Sequence, residues 1–389
     1  MAISEDINKP PAKLLYIINV DWYFMLHWLD RAKAAKDSGY DVHIAMQHTD
    51  LKYCQRLKGL GFHTYKLPIS RKSINILTEL RTLAAINRLL KELKPEIIHS
   101  VTIKPNIYAG LCSRIRGIPI IASITGLGTT FSSKKYELAR IVKYFIQNAY
   151  RLAFAHPKTK VLFENIDDLN QIVCGGFITR DQAVLIPGAG VNTNLYSPTP
   201  PLPSPPINVL FAARLLRNKG LYQLVDVISA IRSDGIDICL TVAGIIDNDA
   251  LGTIPINQLE SWHKQGFITW LGQVEDMPKL INDSHIICLP TLYGEGIPRI
   301  LIEGASCGRP IVATDTQGCR EIISNNENGL LVCPHSKPEL KNALSALATS
   351  PNVRKEMGIR GRKVVEEKYC SNIVIRKTLM LYTTMTPIK

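Results

Sequence analysis

Leu289-Pro-Thr-Leu-Tyr-Gly-Glu-Gly-Ile-Pro-Arg-Ile-Leu-Ile-Glu-Gly-Ala-Ser-Cys-Gly-Arg-Pro-Ile-Val-Ala-Thr-Asp315 decides the fold. His285 to Leu289 is short, apolar and closed by Pro290, as a buried strand should be. Gly294 and Gly296 let backbone come close to a ligand. Pro298 suits a helix start, and Gly308 suits its end. Ile311 to Ala313 opens the next strand. The pattern is strand, loop, helix, turn, strand. It places Glu295 in the loop at a strand's carboxyl end and Glu303 one to two turns into the helix. In open parallel sheets ligands bind at that end. The free N–H groups of the helix start suit a phosphate. Two glutamates eight positions apart carry no meaning alone, since a random pair is usually one solvated residue and one on a helix surface.

The same grammar runs through the 389 residues, a length that suits two domains. Leu14 to Asn19 and Val42 to Met46 bracket an Ala-rich helix. Further strands are read at Glu96–His99, Ile118–Thr125, Val161–Phe163 and Val184–Ile186, with long helices over Ile74–Leu93 and Tyr136–Ala155. No Gly-x-Gly-x-x-Gly follows the first strand, which argues against a dinucleotide cofactor there. Ser197-Pro-Thr-Pro-Pro-Leu-Pro-Ser-Pro-Pro206 is stiff and hostile to strands, so it marks a domain boundary. The βα alternation restarts at Asn208 and runs to a helical tail, Asn372 to Thr384. The expected division is 1–196, 207–370 and a last segment, 371–389, crossing back to the first domain.

Composition limits the function. The net charge of +13 calls for an anionic partner, whether nucleic acid, phosphorylated ligand or anionic membrane. No signature of an RNA- or DNA-binding module is present. No apolar run approaches the roughly 20 residues that span a bilayer. Met1 to Pro11 is polar, so a cytoplasmic protein is expected. Nine scattered cysteines, without Cys-x-x-Cys or a Cys/His cluster, read as reduced and mostly buried.

Glu295-Gly-Ile-Pro298, Glu303-Gly-Ala305 and Gly308-Arg-Pro-Ile-Val-Ala-Thr-Asp315 together resemble the nucleotide-binding signature of retaining glycosyltransferases of family 4, with its two glutamates separated by seven residues. The resemblance implies the α/β GT-B fold, two Rossmann-like domains facing a cleft. In Ala213-Arg-Leu-Leu-Arg-Asn-Lys-Gly220, Arg214 and Lys219 resemble the family's diphosphate clamp: Arg offers a bidentate fork and Lys a point charge. An isolated pair of this kind would usually be a solvated basic loop. Gly272-Gln-Val-Glu-Asp-Met-Pro278 resembles the segment whose backbone holds the base, which would make Gln273 and Val274 matter by position. Ile186-Pro-Gly-Ala-Gly-Val-Asn192 resembles the family's hinge.

The resemblance implies a catalytic set of Glu295, Arg214 and Lys219. It implies donor contacts by Arg214, Lys219, Gln273, Val274, Gly296, Ile297 and Glu303, with Glu303 on ribose and Glu295 on sugar hydroxyls. The family's usual first-domain histidine is missing, and Thr125-Gly-Leu-Gly128 stands in its place. The acceptor-side candidates are therefore His27, Thr125 and Gly126. His99 is expected to be a satisfied core histidine. Thr125 to Phe131 and Lys104-Pro-Asn106 look like the branch that builds bacterial surface polysaccharide (O-antigen and capsule).

The implied activity is that of a hexosyltransferase. It would move a hexose or N-acetylhexosamine from a nucleotide sugar, taken as UDP-linked, to a lipid-diphosphate-linked saccharide, peripherally at the inner face of the cell membrane. No cofactor is expected. No metal is expected, on the reading that no Asp-x-Asp metal motif follows a strand. Alternatives are a sugar epimerase or phosphorylase of the same architecture, or a basic RNA- or membrane-binding protein. The donor's sugar and base, the linkage and the oligomeric state are not encoded in any motif.

Overall fold

The computed structural model describes residues 10–70, 75–126, 137–200, 202, 205–247, 252–294 and 296–386, with 137–145 described as helix only. The first sheet holds β1 (Lys13–Val20), β2 (Asp41–Gln47), β3 (His63–Lys66), β4 (Ile97–Val101), β5 (Ile120–Ile124), β6 (Thr159–Phe163) and β7 (Ala183–Leu185). The second holds β8 (Ile207–Ala212), β9 (Ile238–Ala243), β10 (Thr269–Trp270), β11 (Ile286–Leu289), β12 (Ile311–Thr314) and β13 (Gly329–Val332). Their orders are β3-β2-β1-β4-β5-β6-β7 and β10-β9-β8-β11-β12-β13, and neighbours pair in parallel. Parallel strands need crossovers, and helices supply them, so both faces are covered. That is why the strands read as continuous apolar runs.

Each order reverses once, between β1 and β4 and between β8 and β11. A crevice opens at such a reversal, where crossovers leave to opposite faces. The quoted stretch follows β11, and the Arg214 segment follows β8. Both therefore emerge at the second domain's switch point.

Two corrections concern helices. Helices occupy Leu51–Gly59, Ile103–Arg116 and Ile166–Cys174, which the sequence reading left unassigned. Pro298 is the residue before its helix, Arg299–Ser306, and not the first helical one. The last helix, Ser371–Met385, puts Val374, Leu381 and Tyr382 into the first domain's core. The Tyr382 hydroxyl bonds Tyr16 Oη and His99 Nδ1, both at 2.6 Å, and Ser123 Oγ meets the other His99 nitrogen at 2.7 Å. His99 is thus a core histidine with both nitrogens engaged. The two crossings between domains bond each other: Val191 N–H donates to Tyr369 O (2.9 Å) and Ser371 N–H to Val191 O (2.8 Å).

Candidate active site

The second domain's half of the site is built by close backbone approach. Gly220 has φ 83°, and a Cβ there would overlap the Pro290 carbonyl. Only glycine permits that contact. It seats the turn Arg217–Lys219 beside the loop after β11, and Leu292 N–H donates to Asn218 O at 2.8 Å. Lys219 is 6% exposed, with Nζ 5.1 Å from the Tyr293 ring centroid. Arg214 Nη1 lies 3.2 Å from Asp247 Oδ2, and Asp247 is buried. Asp247-Asn-Asp249 is an Asp-x-Asp sequence shortly after β9, which the sequence reading overlooked. Asp247 is engaged with Arg214, and Asp249 lies outside the described residues. Gly272 O accepts from Gly244 N–H (2.8 Å), which places the start of the Gln273-Val274 segment beside the same turn. Gln273 is exposed, and Val274 packs partly against the second core.

Glu303 is buried in the helix Arg299–Ser306. Arg299 Nε approaches its Oε1 at 2.6 Å, one turn away, and the Tyr196 hydroxyl bonds both groups. Burial, with the Glu303 charge beside it, keeps that phenol protonated. Arg299 also donates across the cleft to the Leu26 carbonyl. Glu295 lies outside the described residues.

The first domain meets this surface with the carboxyl ends of its own strands. Thr125 follows β5 and Glu164 follows β6. A Cβ at Gly296 would overlap both the Glu164 carboxylate and the Thr125 carbonyl, so a glycine is required there for contact rather than torsion. Tyr23 Oη donates to Thr125 Oγ1 at 3.1 Å, and its ring packs on His27 with centroids 4.4 Å apart. Burial first, then the charges of Arg299, Arg31 and Arg214, push His27 down to about 3, so it is a neutral imidazole at working pH. Gly126 lines a cavity of about 190 Å³ with Thr102, Ile124, Thr125 and Tyr150. Of the sequence candidates, His27, Thr125, Arg214, Gly296, Ile297 and Glu303 are thus drawn around one inter-domain contact, with Lys219 next to it.

Sequence reading missed Arg31 and Glu164. Arg31 is 2% exposed, stacks over Trp28 at 4.4 Å and donates to the Gly188 carbonyl in the hinge. Burial pushes the Glu164 carboxyl up to about 7, against the pull of the Arg31 guanidinium and the Ile297 amide. Arg31 carried no signal, because it reads as one more charge on a helix. Glu164 did: like Thr125, it stands just after a strand's carboxyl end, where ligands bind in parallel sheets.

Residues 206–350 match the family "Glycosyl transferases group 1", and residues 13–165 match "Glycosyl transferase 4-like". The chain is a family 4 glycosyltransferase. It is 25% identical over 366 residues to the N,N'-diacetylbacillosaminyl-diphospho-undecaprenol alpha-1,3-N-acetylgalactosaminyltransferase of Campylobacter jejuni, covering 90% of this chain and 93% of that one. It is 20% identical to the UDP-Gal:alpha-D-GlcNAc-diphosphoundecaprenol alpha-1,3-galactosyltransferase of Escherichia coli, over 72% and 73% of the two chains. A glycosyltransferase structure from Rickettsia africae superimposes with TM-score 0.77 at 18% identity, over 98% of this chain and all of that one. The fold is GT-B, and the family 4 glycosyltransferase reading prevails over the epimerase, phosphorylase and RNA-binding alternatives.

Proposed function

We propose that this glycosyltransferase moves a hexosyl or N-acetylhexosaminyl unit, with retention, from a UDP sugar to a saccharide carried on a lipid diphosphate, in bacterial surface polysaccharide assembly. The observation that carries the reading is the inter-domain contact where Gly296 abuts Thr125 and Glu164, with His27 under the positive charges of Arg299, Arg31 and Arg214. The names of the two relatives, each specifying a diphospho-undecaprenol saccharide, support the acceptor class.

Departure of a nucleoside diphosphate places charge on phosphate oxygens. Arg214 and Lys219 stabilise that charge as it develops, which lowers the barrier more than it tightens the ground state. Asp247 orients the Arg214 fork, so little ordering remains when the donor arrives. Glu303 keeps an oxygen for the ribose hydroxyls while Arg299 holds the other. Glu295 accepts from hydroxyls of the transferred sugar. A neutral His27 contributes hydrogen bonds, and no positive charge, to the sugar side. Cations on the diphosphate make a divalent metal unnecessary.

The membrane completes the reading. In the helix Glu137–Phe154, whose basic and aromatic residues would suit anionic headgroups, Tyr150 is buried in the first domain, while Lys134, Lys135 and the Lys143 side chain lie outside the described residues. A better surface is the helix Ile76–Leu93, which exposes Ile76, Leu77 and Leu80 beside the exposed Arg81. Among the described residues no helix is long and apolar enough to cross a bilayer. This patch suits a basic, peripheral contact at the inner face of the membrane. The deciding experiment supplies UDP sugars and a lipid-diphosphate saccharide and follows the saccharide product. Transfer lost in Arg214→Ala supports the reading, and transfer at the wild-type rate in that variant sinks it.

A further inference from the structure

The edge of the first sheet carries a second cluster, at the opposite end of the strands from the cleft. Asp41 opens β2 and His43 stands two residues on, so strand alternation puts both on one face. In the β2–β3 pairing His43 faces His63, and Ala45 faces Tyr65. His63 and Tyr65 therefore project on the same side as Asp41 and His43. Asp41 Oδ2 lies 2.9 Å from His43 Nε2, and its Oδ1 lies 3.5 Å from His63 Nε2. The two imidazole rings stack 4.7 Å apart at 19°. One donor atom from each of the three residues falls within 4.8 Å of the other two.

We infer that Asp41, His43 and His63 form a structural site for a divalent transition metal of the zinc class, clamping the edge strand β3 to β2. Two imidazole nitrogens and a carboxylate oxygen are a borderline-soft donor set that zinc accepts, with a fourth position open to water. Ligand atoms about 2.0–2.2 Å from a tetrahedral metal are a little over 3 Å from one another; the two Asp41–imidazole separations, 2.9 and 3.5 Å, bracket that spacing, and the two imidazole nitrogens lie within 4.8 Å of each other. The outer shell is in place as well. The remaining His43 nitrogen, Nδ1, meets Tyr65 Oη at 3.0 Å, an acceptor for Nδ1–H in the tautomer that leaves Nε2 to bind metal. Lys13, the neighbour of Asp41 on β1, turns its ammonium to the Leu93 carbonyl at 3.3 Å and away from a ligand role. His43 is buried and His63 exposed, so one ligand is anchored and the other is free to adjust. β3 is four residues long and lies at the sheet's edge, where a cross-strand clamp adds most.

The test uses the full-length chain stripped of metal, titrated with zinc at neutral pH, and the same titration on His63→Ala and Asp41→Asn. His63 is exposed, so its variant keeps the fold. The expected result is uptake of one zinc per chain with a rise in the unfolding midpoint, both lost in either variant, and a turnover rate that the His63→Ala change leaves alone. Cobalt(II) in place of zinc should give d–d bands without a thiolate charge-transfer band. The inference is overturned by absence of stoichiometric uptake, by equal uptake in His63→Ala, or by a cobalt spectrum showing thiolate ligation at one of the nine cysteines. None of these outcomes depends on which sugar or acceptor the cleft takes.

Discussion

Replacing Glu164 with Gln removes an ionisable group and keeps its shape. Glu164 sits at the contact between Thr125 and Gly296, where burial raises its carboxyl from an ordinary 4.5 to about 7. The folded chain therefore holds a proton there that the unfolded chain has already released between those two pH values. The stability this proton provides is complete below pH 4.5 and is lost as pH rises through about 7. At 1.36 kcal/mol per pH unit the interval is worth roughly 3 kcal/mol. Gln mimics the protonated acid at every pH and should not lose that stability. Urea unfolding of both proteins between pH 4.5 and 8 measures it, and titrations common to the two cancel in the difference. The gap should open by about 3 kcal/mol in favour of Glu164→Gln as pH rises. Because Glu164 abuts Gly296, kcat/KM of the wild type should also bend near pH 7, and the variant's should not. Parallel stability curves across this range would refute the buried-carboxyl argument.

Four further outcomes are expected. Arg214→Ala and Lys219→Ala should each lower kcat/KM by about ten- to a hundredfold, the worth of one charge-assisted contact, as steady-state kinetics with a UDP sugar would measure. Gly296→Ala should weaken donor affinity in calorimetry while circular dichroism stays unchanged, since its Cβ overlaps Glu164 and Thr125. Turnover should survive excess EDTA, even if chelation lowers the unfolding midpoint through the β2–β3 edge; loss of turnover restored by magnesium or manganese would reverse the reading of the diphosphate site. Co-sedimentation with anionic vesicles at low salt should fall sharply in Leu77→Glu/Leu80→Glu, and unchanged binding would clear the helix Ile76–Leu93 of that role.

Most of the second domain was legible because its chemistry is local. Arg214 to Gly220 and Gly294 to Gly308 are each continuous in sequence and each begin at a strand end, so spacing alone sets their geometry. The helix Ile103–Arg116 was not legible. Pro105 and Gly110 interrupt its pattern, and Gly110 is there because a Cβ would overlap Ala153 of the neighbouring helix. That reason exists only after packing. Arg31 is similar: its burial follows from the hinge carbonyl of Gly188, 157 residues away.

The acceptor half resists sequence reading for a more general reason. Its contacts with the donor half run largely through backbone: the Leu26 carbonyl receives Arg299, and the Thr125 carbonyl abuts Gly296. A carbonyl is the same in every residue, so no side-chain pattern in the first domain records these contacts. The record is kept on the other partner, as an arginine or as the absence of a Cβ. Asp41, His43 and His63 obey the same logic. The Asp-x-His pair reads as nothing until strand register brings the third ligand alongside it. What separates the legible site from the hidden one is thus whether its ligands share a loop or only share a sheet.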